Sequence, residues 1–171
     1  AFTGPEDLRI GEIEAPKPAS DEILIAVHAA SVSFMDHLLV SGRYQMRPQT
    51  PFVPGTDAAG IVLAVGDKIT RFRPGDRAAC GSWTGGYAER MIAKEWMSVS
   101  LPAGVTFEAA ATVLHNYGTA YYALVEGARA QQGETAFVSG AAGGVGLAAV
   151  DLARHFGLRV IAGVGSDDKA D

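Results

Sequence analysis

Short apolar runs broken by turn-forming residues fill the first part of the chain. The runs are five to seven residues long and include 22–28, 60–66 and 87–93. The breaks between them carry the Gly, Pro and Asp residues of tight turns, as in the stretch 73–76. Strands of this length at this spacing predict a compact, β-barrel-like unit.

The pattern changes after Pro102, where the apolar stretches become longer and are separated by glycines. The predicted elements are, in order, a helix over 106–114 capped by Thr106, a helix over 118–127, a buried strand 135–139, a helix 144–156 ended by Gly157, and a strand 158–164. Strand, helix and strand in this order predict a βαβ unit of a parallel sheet. The sequence therefore predicts two domains, 1–110 and 111–171.

Bulk properties narrow the class of protein. With 48% hydrophobic residues, 19% charged residues and a net charge of −5, the chain has the composition of a soluble globular protein and lacks the basic surface that nucleic-acid binding needs. A single cysteine excludes an intramolecular disulfide and a Cys-rich metal site. No apolar run reaches 18 residues and no export signal is visible, so no membrane contact and a cytoplasmic location are expected. A start at Ala1 without Met and an end inside a helix-opening stretch indicate a fragment of a longer protein.

The segment between the predicted strand and the predicted helix is rich in glycine. This glycine loop, residues 139–146, reads Ser-Gly-Ala-Ala-Gly-Gly-Val-Gly. Ala141 stands where the first glycine of G-x-G-x-x-G would be, Gly143 would let backbone N–H groups approach a pyrophosphate, and Gly146 would let helix and strand pack closely. The free N–H groups and dipole of a helix N-terminus favour an anion. The candidate cofactor-binding residues are Ala142, Gly143, Gly144 and Val145.

The end of the second βαβ strand bears on the choice of cofactor. NAD sites usually place a carboxylate there for the ribose 2′-hydroxyl, whereas this strand runs directly into Gly165 and Ser166. Those two residues and Lys169 could offer donors and a positive charge to a 2′-phosphate, which favours NADPH. Asp167 and Asp168 complicate this interpretation and are expected to be solvated at a helix start.

Several motifs in fixed order carry a family resemblance. They are Val53-Pro-Gly-Thr-Asp-Ala-Ala-Gly-Ile-Val62, Phe72-Arg-Pro-Gly-Asp-Arg77, Gly85-Gly-Tyr-Ala-Glu89, Asn116-Tyr-Gly-Thr-Ala-Tyr-Tyr-Ala-Leu124 and Gly140-Ala-Ala-Gly-Gly-Val-Gly146. Together they resemble the zinc-independent NADPH:quinone oxidoreductases of the medium-chain dehydrogenase/reductase superfamily, the relatives of zeta-crystallin. The resemblance implies an α/β plus β chain, in which a GroES-like β-barrel domain precedes the first part of a Rossmann doubly wound parallel sheet, with the active site between them. It also implies a homodimer built through parts of the full-length chain that lie outside this sequence.

Zinc-dependent members of the superfamily carry a cysteine in an early loop and a His-Glu pair after a Pro-Gly. Here residues 30–36 contain no cysteine, and Thr56 follows Pro54-Gly55 where the histidine would be. The resemblance therefore predicts no catalytic metal, and the chemistry would depend on the nicotinamide.

The resemblance also assigns roles to particular residues. Ser33 and Phe34 belong to a loop beside the nicotinamide, Tyr44 lines the acceptor pocket, and Thr119 lies in a turn near the nicotinamide ribose. Ser33 and Tyr44 are the catalytic candidates, and Phe34 and Thr119 are cofactor contacts. Relatives often carry Asn at the position of Ser33, which puts in doubt any hydrogen bond to the cofactor or acceptor there.

These residues leave more than one function open. The leading hypothesis is hydride transfer from NADPH to a quinone or a similar electron-poor acceptor. An enoyl-thioester or enone reductase on the same scaffold would need a proton donor such as Tyr44. A non-catalytic NADPH-binding protein, a sensor or a crystallin-like one, is a third possibility, and an isolated fragment could be inactive.

Two further residues have simpler interpretations. Asp57 follows a Pro-Gly turn and is expected to make a structural hydrogen bond to nearby backbone. Cys80 has no adjacent His or Lys and is expected to be an inert small hydrophobe.

Overall fold

A computed structural model describes residues 2–169 of the chain. The chain folds into two compact units, which divide between Thr112 and Val113. Each unit is described by itself below.

The first unit is built on one antiparallel sheet of five strands. The strands are β1 (Glu22–Ala30), β2 (Asp57–Val65), β3 (Arg77–Gly81), β4 (Arg90–Lys94) and β5 (Ser98–Ser100). Their order in the sheet is β4-β1-β2-β3-β5, and every neighbouring pair is antiparallel. The strands predicted over 22–28 and 60–66 are confirmed as parts of β1 and β2, whereas the strand predicted over 87–93 begins only at Arg90.

The core of this unit follows the period-two rule of strands, in which alternate side chains face one side. The core residues come in i, i+2 steps on β1, β3 and β4, and in an i, i+4 step on β2. They are Ile23 and Ile25, Ala58 and Val62, Ala78 and Cys80, and Met91 and Ala93. The period of the strands therefore places these core residues on one face of the sheet.

Two helices complete the first unit, α1 (Phe34–Val40) and α2 (Phe107–Ala111). The predicted cap of α2 is confirmed, because the Thr106 hydroxyl accepts from the backbone N–H of Ala109 at 3.2 Å. The helix predicted to reach residue 114 ends earlier, since Thr112 takes the C-cap position.

The second unit contains the predicted βαβ arrangement. Its elements are α3 (Val113–Tyr121), a π-helical turn (Tyr122–Gly127), β6 (Thr135–Ser139), α4 (Gly144–His155) and β7 (Arg159–Gly163). Strands β6 and β7 pair in parallel, from Thr135 opposite Arg159 to Ser139 opposite Gly163. The predicted βαβ unit is confirmed.

Two details of the second unit differ from the sequence prediction. The helix predicted to begin at Gly118 begins at Val113, so Thr119 lies within α3 and not in a turn. The strand predicted to be buried, β6, is open to solvent, since Phe137 is 68% exposed. Ile161 on the paired strand β7 is 44% exposed.

Among the described residues 2–169, no helix combines the length and apolar character needed to cross a membrane.

Candidate functional site

The glycine loop turns sharply after β6. Gly140 has φ of +69°, in the left-handed region that glycine adopts without strain. Ala141 is 4% exposed, and its N–H donates to the carbonyl of Gly163 at 3.0 Å. Gly140 therefore makes the turn out of the strand, while Ala141, the residue expected at that turn, packs inside.

Gly146 brings helix α4 against the loop. A Cβ at Gly146 would lie 2.2 Å from the carbonyl oxygen of Gly140 and 2.8 Å from Cα of Ala141. Both neighbours are backbone atoms, so no side-chain rotation could make room. The close packing predicted at Gly146 is therefore present, against the glycine loop that follows β6.

The N-terminus of α4 has the features of an anion site. Gly143 is the N-cap and supplies no side-chain cap. The first N–H groups of a helix have no partner within it, so those of Gly144 and Val145 are available to an external acceptor. Ala142, Gly143, Gly144 and Val145 are all exposed. The twelve residues of α4 add the positive end of their dipole, so this backbone fits a pyrophosphate group.

The predicted 2′-phosphate residues lie just after β7. Gly165, Ser166 and Lys169 are exposed, and a Cβ at Gly165 would meet nothing within 4 Å. Asp167–Lys169 form a 3-10 turn in which the Lys169 N–H donates to the Ser166 carbonyl at 3.1 Å. Among residues 2–169, no ion pair holds the Lys169 ammonium.

Helix α3 lies close to the start of α4, which the sequence did not indicate. The Asn116 amide would be 3.0 Å from a Cβ on Gly144. About two turns further along α4, the Tyr117 hydroxyl donates to Asp151 Oδ2 at 3.1 Å, and this bond raises the pKa of Tyr117. Thr119 is exposed on α3. Asn116 and Tyr117 were missed because helical periodicity carries no signal for a contact between two helices.

Ser33 is the N-cap of α1, where the sequence had been interpreted as a loop. Its hydroxyl donates to Asp36 Oδ2 at 2.7 Å and accepts from the Asp36 N–H at 3.3 Å, and its own N–H donates to Asp36 Oδ2 at 2.8 Å. This is a capping box, and the spacing Ser33-x-x-Asp36 was the signal for it. A serine hydroxyl has one proton and two lone pairs. Only one lone pair remains, so toward a ligand Ser33 can accept a hydrogen bond but not donate one.

Phe34 and Tyr44 lie at the two ends of α1. The Phe34 ring is 76% exposed and stacks on His37 with 6.1 Å between ring centroids. Tyr44 is half-buried beyond the C-terminus of α1, where its N–H donates to the carbonyl of Leu38 at 3.2 Å. A helix of seven residues rises by about 10 Å. The structure thus joins Ser33 to Phe34 at one end of α1 and places Tyr44 at the other.

Thr56 and Asp57 occupy the place where zinc-dependent relatives would carry a ligand. Thr56 is 1% exposed and Asp57 is 4% exposed. The Thr56 hydroxyl donates to Asp57 Oδ2 at 3.2 Å. The hydrogen bond from Asp57 to nearby backbone stays a prediction. Within residues 2–169, no three His, Cys, Asp or Glu side chains converge as a metal site. Zinc independence stays a prediction.

An apolar groove of about 260 Å³ lies between α3 and α4 in the second unit. It is lined by Val113, Leu114, Tyr117, Gly118, Tyr121 and Leu152. None of the candidate cofactor or acceptor residues lines it, so the groove does not mark the site described above.

Comparison with known proteins decides the family. Residues 19–103 match the alcohol dehydrogenase GroES-like domain. The quinone oxidoreductase of Mus musculus is 42% identical over 169 residues, which are 98% of this chain and 51% of the relative. The Escherichia coli quinone oxidoreductase complexed with NADPH matches with a TM-score of 0.90 at 35% identity, over 98% of this chain and 51% of that one. The chain belongs to the medium-chain dehydrogenases/reductases, and the relatives it resembles are quinone oxidoreductases.

The family assignment confirms the predicted order of a GroES-like domain and the start of a Rossmann sheet. The chain spans about half the length of the relatives it matches. The CurK enoyl reductase also matches, with a TM-score of 0.86 at 27% identity over 96% of this chain and 52% of that one.

Proposed function

We propose that this protein is a reductase that binds NADPH at the start of α4 and passes a hydride to a quinone or a similar electron-poor acceptor. The observation that carries the proposal is the N-terminus of α4, which has no side-chain cap and packs closely against the glycine loop at Gly146. Relatives named quinone oxidoreductase, one of them solved with NADPH, support the choice of cofactor and acceptor.

The residues that would hold NADPH fit its charges. The N–H groups of Gly144 and Val145, with the backbone of Ala142 and Gly143, would bind the pyrophosphate. Gly165, Ser166 and Lys169 would bind the 2′-phosphate through a backbone N–H, a hydroxyl and an ammonium. When bound, the cofactor supplies the hydride, and the protein supplies position and electrostatics.

In the first unit we assign Ser33 and Phe34 to the nicotinamide and Tyr44 to the acceptor, and in the second we assign Thr119 to the ribose. Phe34 presents an exposed ring and Ser33 a hydrogen-bond acceptor, both suited to contact a planar amide-bearing group. A reduced quinone delocalises its negative charge, so water can deliver the proton and no strong protein acid is needed.

Stopped-flow oxidation of NADPH by a panel of quinones and enones tests the activity on the protein at its full natural length. Turnover of quinones is the expected result. NADPH binding without turnover of any acceptor would refute the enzyme and leave a non-catalytic NADPH-binding protein. Turnover of enones alone would favour the second candidate.

The second candidate is an enoyl-thioester or enone reductase, which the match to the CurK enoyl reductase favours. Protonation of the α-carbon would then need a donor, for which Tyr44 is our candidate. Tyr44→Phe should leave quinone turnover within about twofold of the wild type but lower an enone reductase by about 100-fold or more. Tyr122→Phe, which alters an exposed ring of the second unit, is the matched control and should change neither.

We further propose that the enzyme works without zinc, as a homodimer in the cytoplasm. Turnover should survive exhaustive treatment with a zinc chelator, and sedimentation should give twice the monomer mass. Loss of activity on chelation, restored by zinc, would contradict the first expectation.

A further inference from the structure

Two buried polar atoms in the first unit lack a hydrogen bond among the described residues, Asp36 Oδ1 and the Tyr87 hydroxyl. Asp36 is 3% exposed. Buried polar atoms are nearly always hydrogen-bonded, and each exception needs a physical explanation. One atom is an acceptor and the other carries a proton, so they are complementary.

The Tyr87 hydroxyl lies close to the Asp36 side chain. The pKa of Tyr87 is raised, first by burial, then by the negative charge and proximity of Asp36, and less by Asp57. Asp36 therefore affects the Tyr87 hydroxyl more strongly than Asp57 does. The hydroxyl falls short of hydrogen-bonding geometry with Asp36 here, so a small movement is needed to form the bond.

The position of Tyr87 is fixed by the backbone beneath it. Its N–H donates to the carbonyl of Pro54 at 2.9 Å, and the N–H of Gly86 donates to the carbonyl of Gly55 at 2.9 Å. The ring lies over Gly55, where a Cβ would be 2.5 Å from Tyr87 Cδ1. Because Gly55 also has φ of +94°, only glycine leaves room for this ring.

The other oxygen of Asp36 receives both donors of Ser33, the N–H at 2.8 Å and the hydroxyl at 2.7 Å. We propose that Tyr87 is a positioning residue, whose hydroxyl donates to Asp36 Oδ1 and so holds Asp36 and, through it, Ser33. The chain Tyr87–Asp36–Ser33 would keep the Ser33 hydroxyl as a hydrogen-bond acceptor facing a ligand that donates an N–H or O–H. This inference rests on the proposed function, in which Ser33 and Phe34 contact the cofactor.

A mutant cycle on NADPH affinity tests whether Tyr87 acts through Ser33. NADPH fluorescence gives Kd for the wild type, Tyr87→Phe, Ser33→Ala and the double variant, at full natural length. A hydrogen bond to a charged group is strong enough that Tyr87→Phe should weaken NADPH binding about tenfold. In the Ser33→Ala background the same change should have no further effect.

Ser98→Ala is the matched control, because it also removes a buried hydroxyl of the first unit. The Ser98 hydroxyl donates to the carbonyl of Lys94 at 2.9 Å, outside the Ser33–Asp36 box. It should lower the unfolding midpoint and leave Kd for NADPH unchanged. A loss of affinity as large as that of Tyr87→Phe would show a general structural effect and overturn the inference.

Three further outcomes separate this inference from the proposed function. Equal weakening by Tyr87→Phe in both backgrounds would refute the positioning role alone. An unchanged Kd in Ser33→Ala would refute both the placement of Ser33 at the cofactor and the positioning role. If the wild type binds no NADPH, a mutant cycle of Tyr87→Phe with Asp36→Asn can be measured on the free energy of urea unfolding. Coupling between the two changes would support the Tyr87–Asp36 hydrogen bond, and additive changes would overturn it.

Discussion

Gly146→Ala is the sharpest perturbation of the proposed phosphate site. The new Cβ would lie 2.2 Å from the Gly140 carbonyl oxygen, about 0.8 Å inside the 3.0 Å that real Cβ contacts respect. Since the opposing atoms are backbone, the first turn of α4 must move away from the glycine loop. A shift of that size lengthens a hydrogen bond of about 2.9 Å to about 3.7 Å, beyond its useful range.

The expected losses of stability and of NADPH affinity follow from the contacts that the shift breaks. Overpacking of this kind costs about 1–3 kcal/mol of folding free energy. Loss of one hydrogen bond from the α4 N-terminus to a charged phosphate costs about 1.5–3 kcal/mol of binding free energy. NADPH should therefore bind Gly146→Ala about 10- to 100-fold more weakly than it binds the wild type.

Urea unfolding and NADPH fluorescence titration measure the two effects. Gly118→Ala is the control, because a Cβ at Gly118 in α3 meets nothing within 4 Å. That change should stabilise the fold by about 0.5–1 kcal/mol, since alanine favours a helix over glycine, and should leave NADPH affinity unaltered. Unchanged NADPH affinity in a folded Gly146→Ala variant would refute the contact between α4 and the cofactor phosphates.

Three other expectations can be tested in parallel. The Glu95 carboxylate accepts the N–H groups of Thr70 at 2.9 Å and Arg71 at 2.7 Å, which lowers its pKa below the ordinary 4.5. The pKa of Glu95 is lower in the folded protein, so its stabilisation is complete above the pKa of the unfolded chain and is lost as the pH falls through the folded pKa. Glu95→Gln should therefore destabilise the protein at neutral pH. In unfolding measurements at acid pH the variant should match the wild type. Burial raises the pKa of Cys80 to about 11, so the native thiol should resist a disulfide reagent at about pH 8 and react once guanidinium unfolds the chain. Lys169→Ala should weaken NADPH binding about fivefold and leave NADH binding unchanged, and equal losses for both would contradict its assignment to the 2′-phosphate.

Local patterns were sufficient to predict most of the fold. The apolar run over 22–28 predicted β1, and the strand–glycine–helix–strand order predicted the βαβ unit. Helix boundaries were less accurate, because Thr112 ends α2 with a short-range cap that interrupts a continuous apolar run. The burial expected for the strand that contains Phe137 was wrong, since an apolar strand has the same sequence whether or not its faces are covered.

The candidate site could also be predicted only in part. The glycine loop was readable because Gly146 must be small wherever this helix meets this strand. The capping box of Ser33 and Asp36 was also readable from its spacing, although it had been interpreted as a loop. Tyr87 and Asn116 were not readable, because their partners, Asp36 and Gly144, are distant in sequence and meet them only in the folded units.

In the proposed function, the glycine loop and the end of β7 together bind NADPH. The most direct measurement is the ratio of Kd for NADH to Kd for NADPH, by fluorescence titration of the protein at its full natural length. Charge-assisted bonds from Ser166 and Lys169 to the 2′-phosphate predict NADPH binding tighter than NADH binding by about tenfold or more. Equal affinity for the two cofactors would contradict the phosphate assignment, and binding of neither would contradict the site itself.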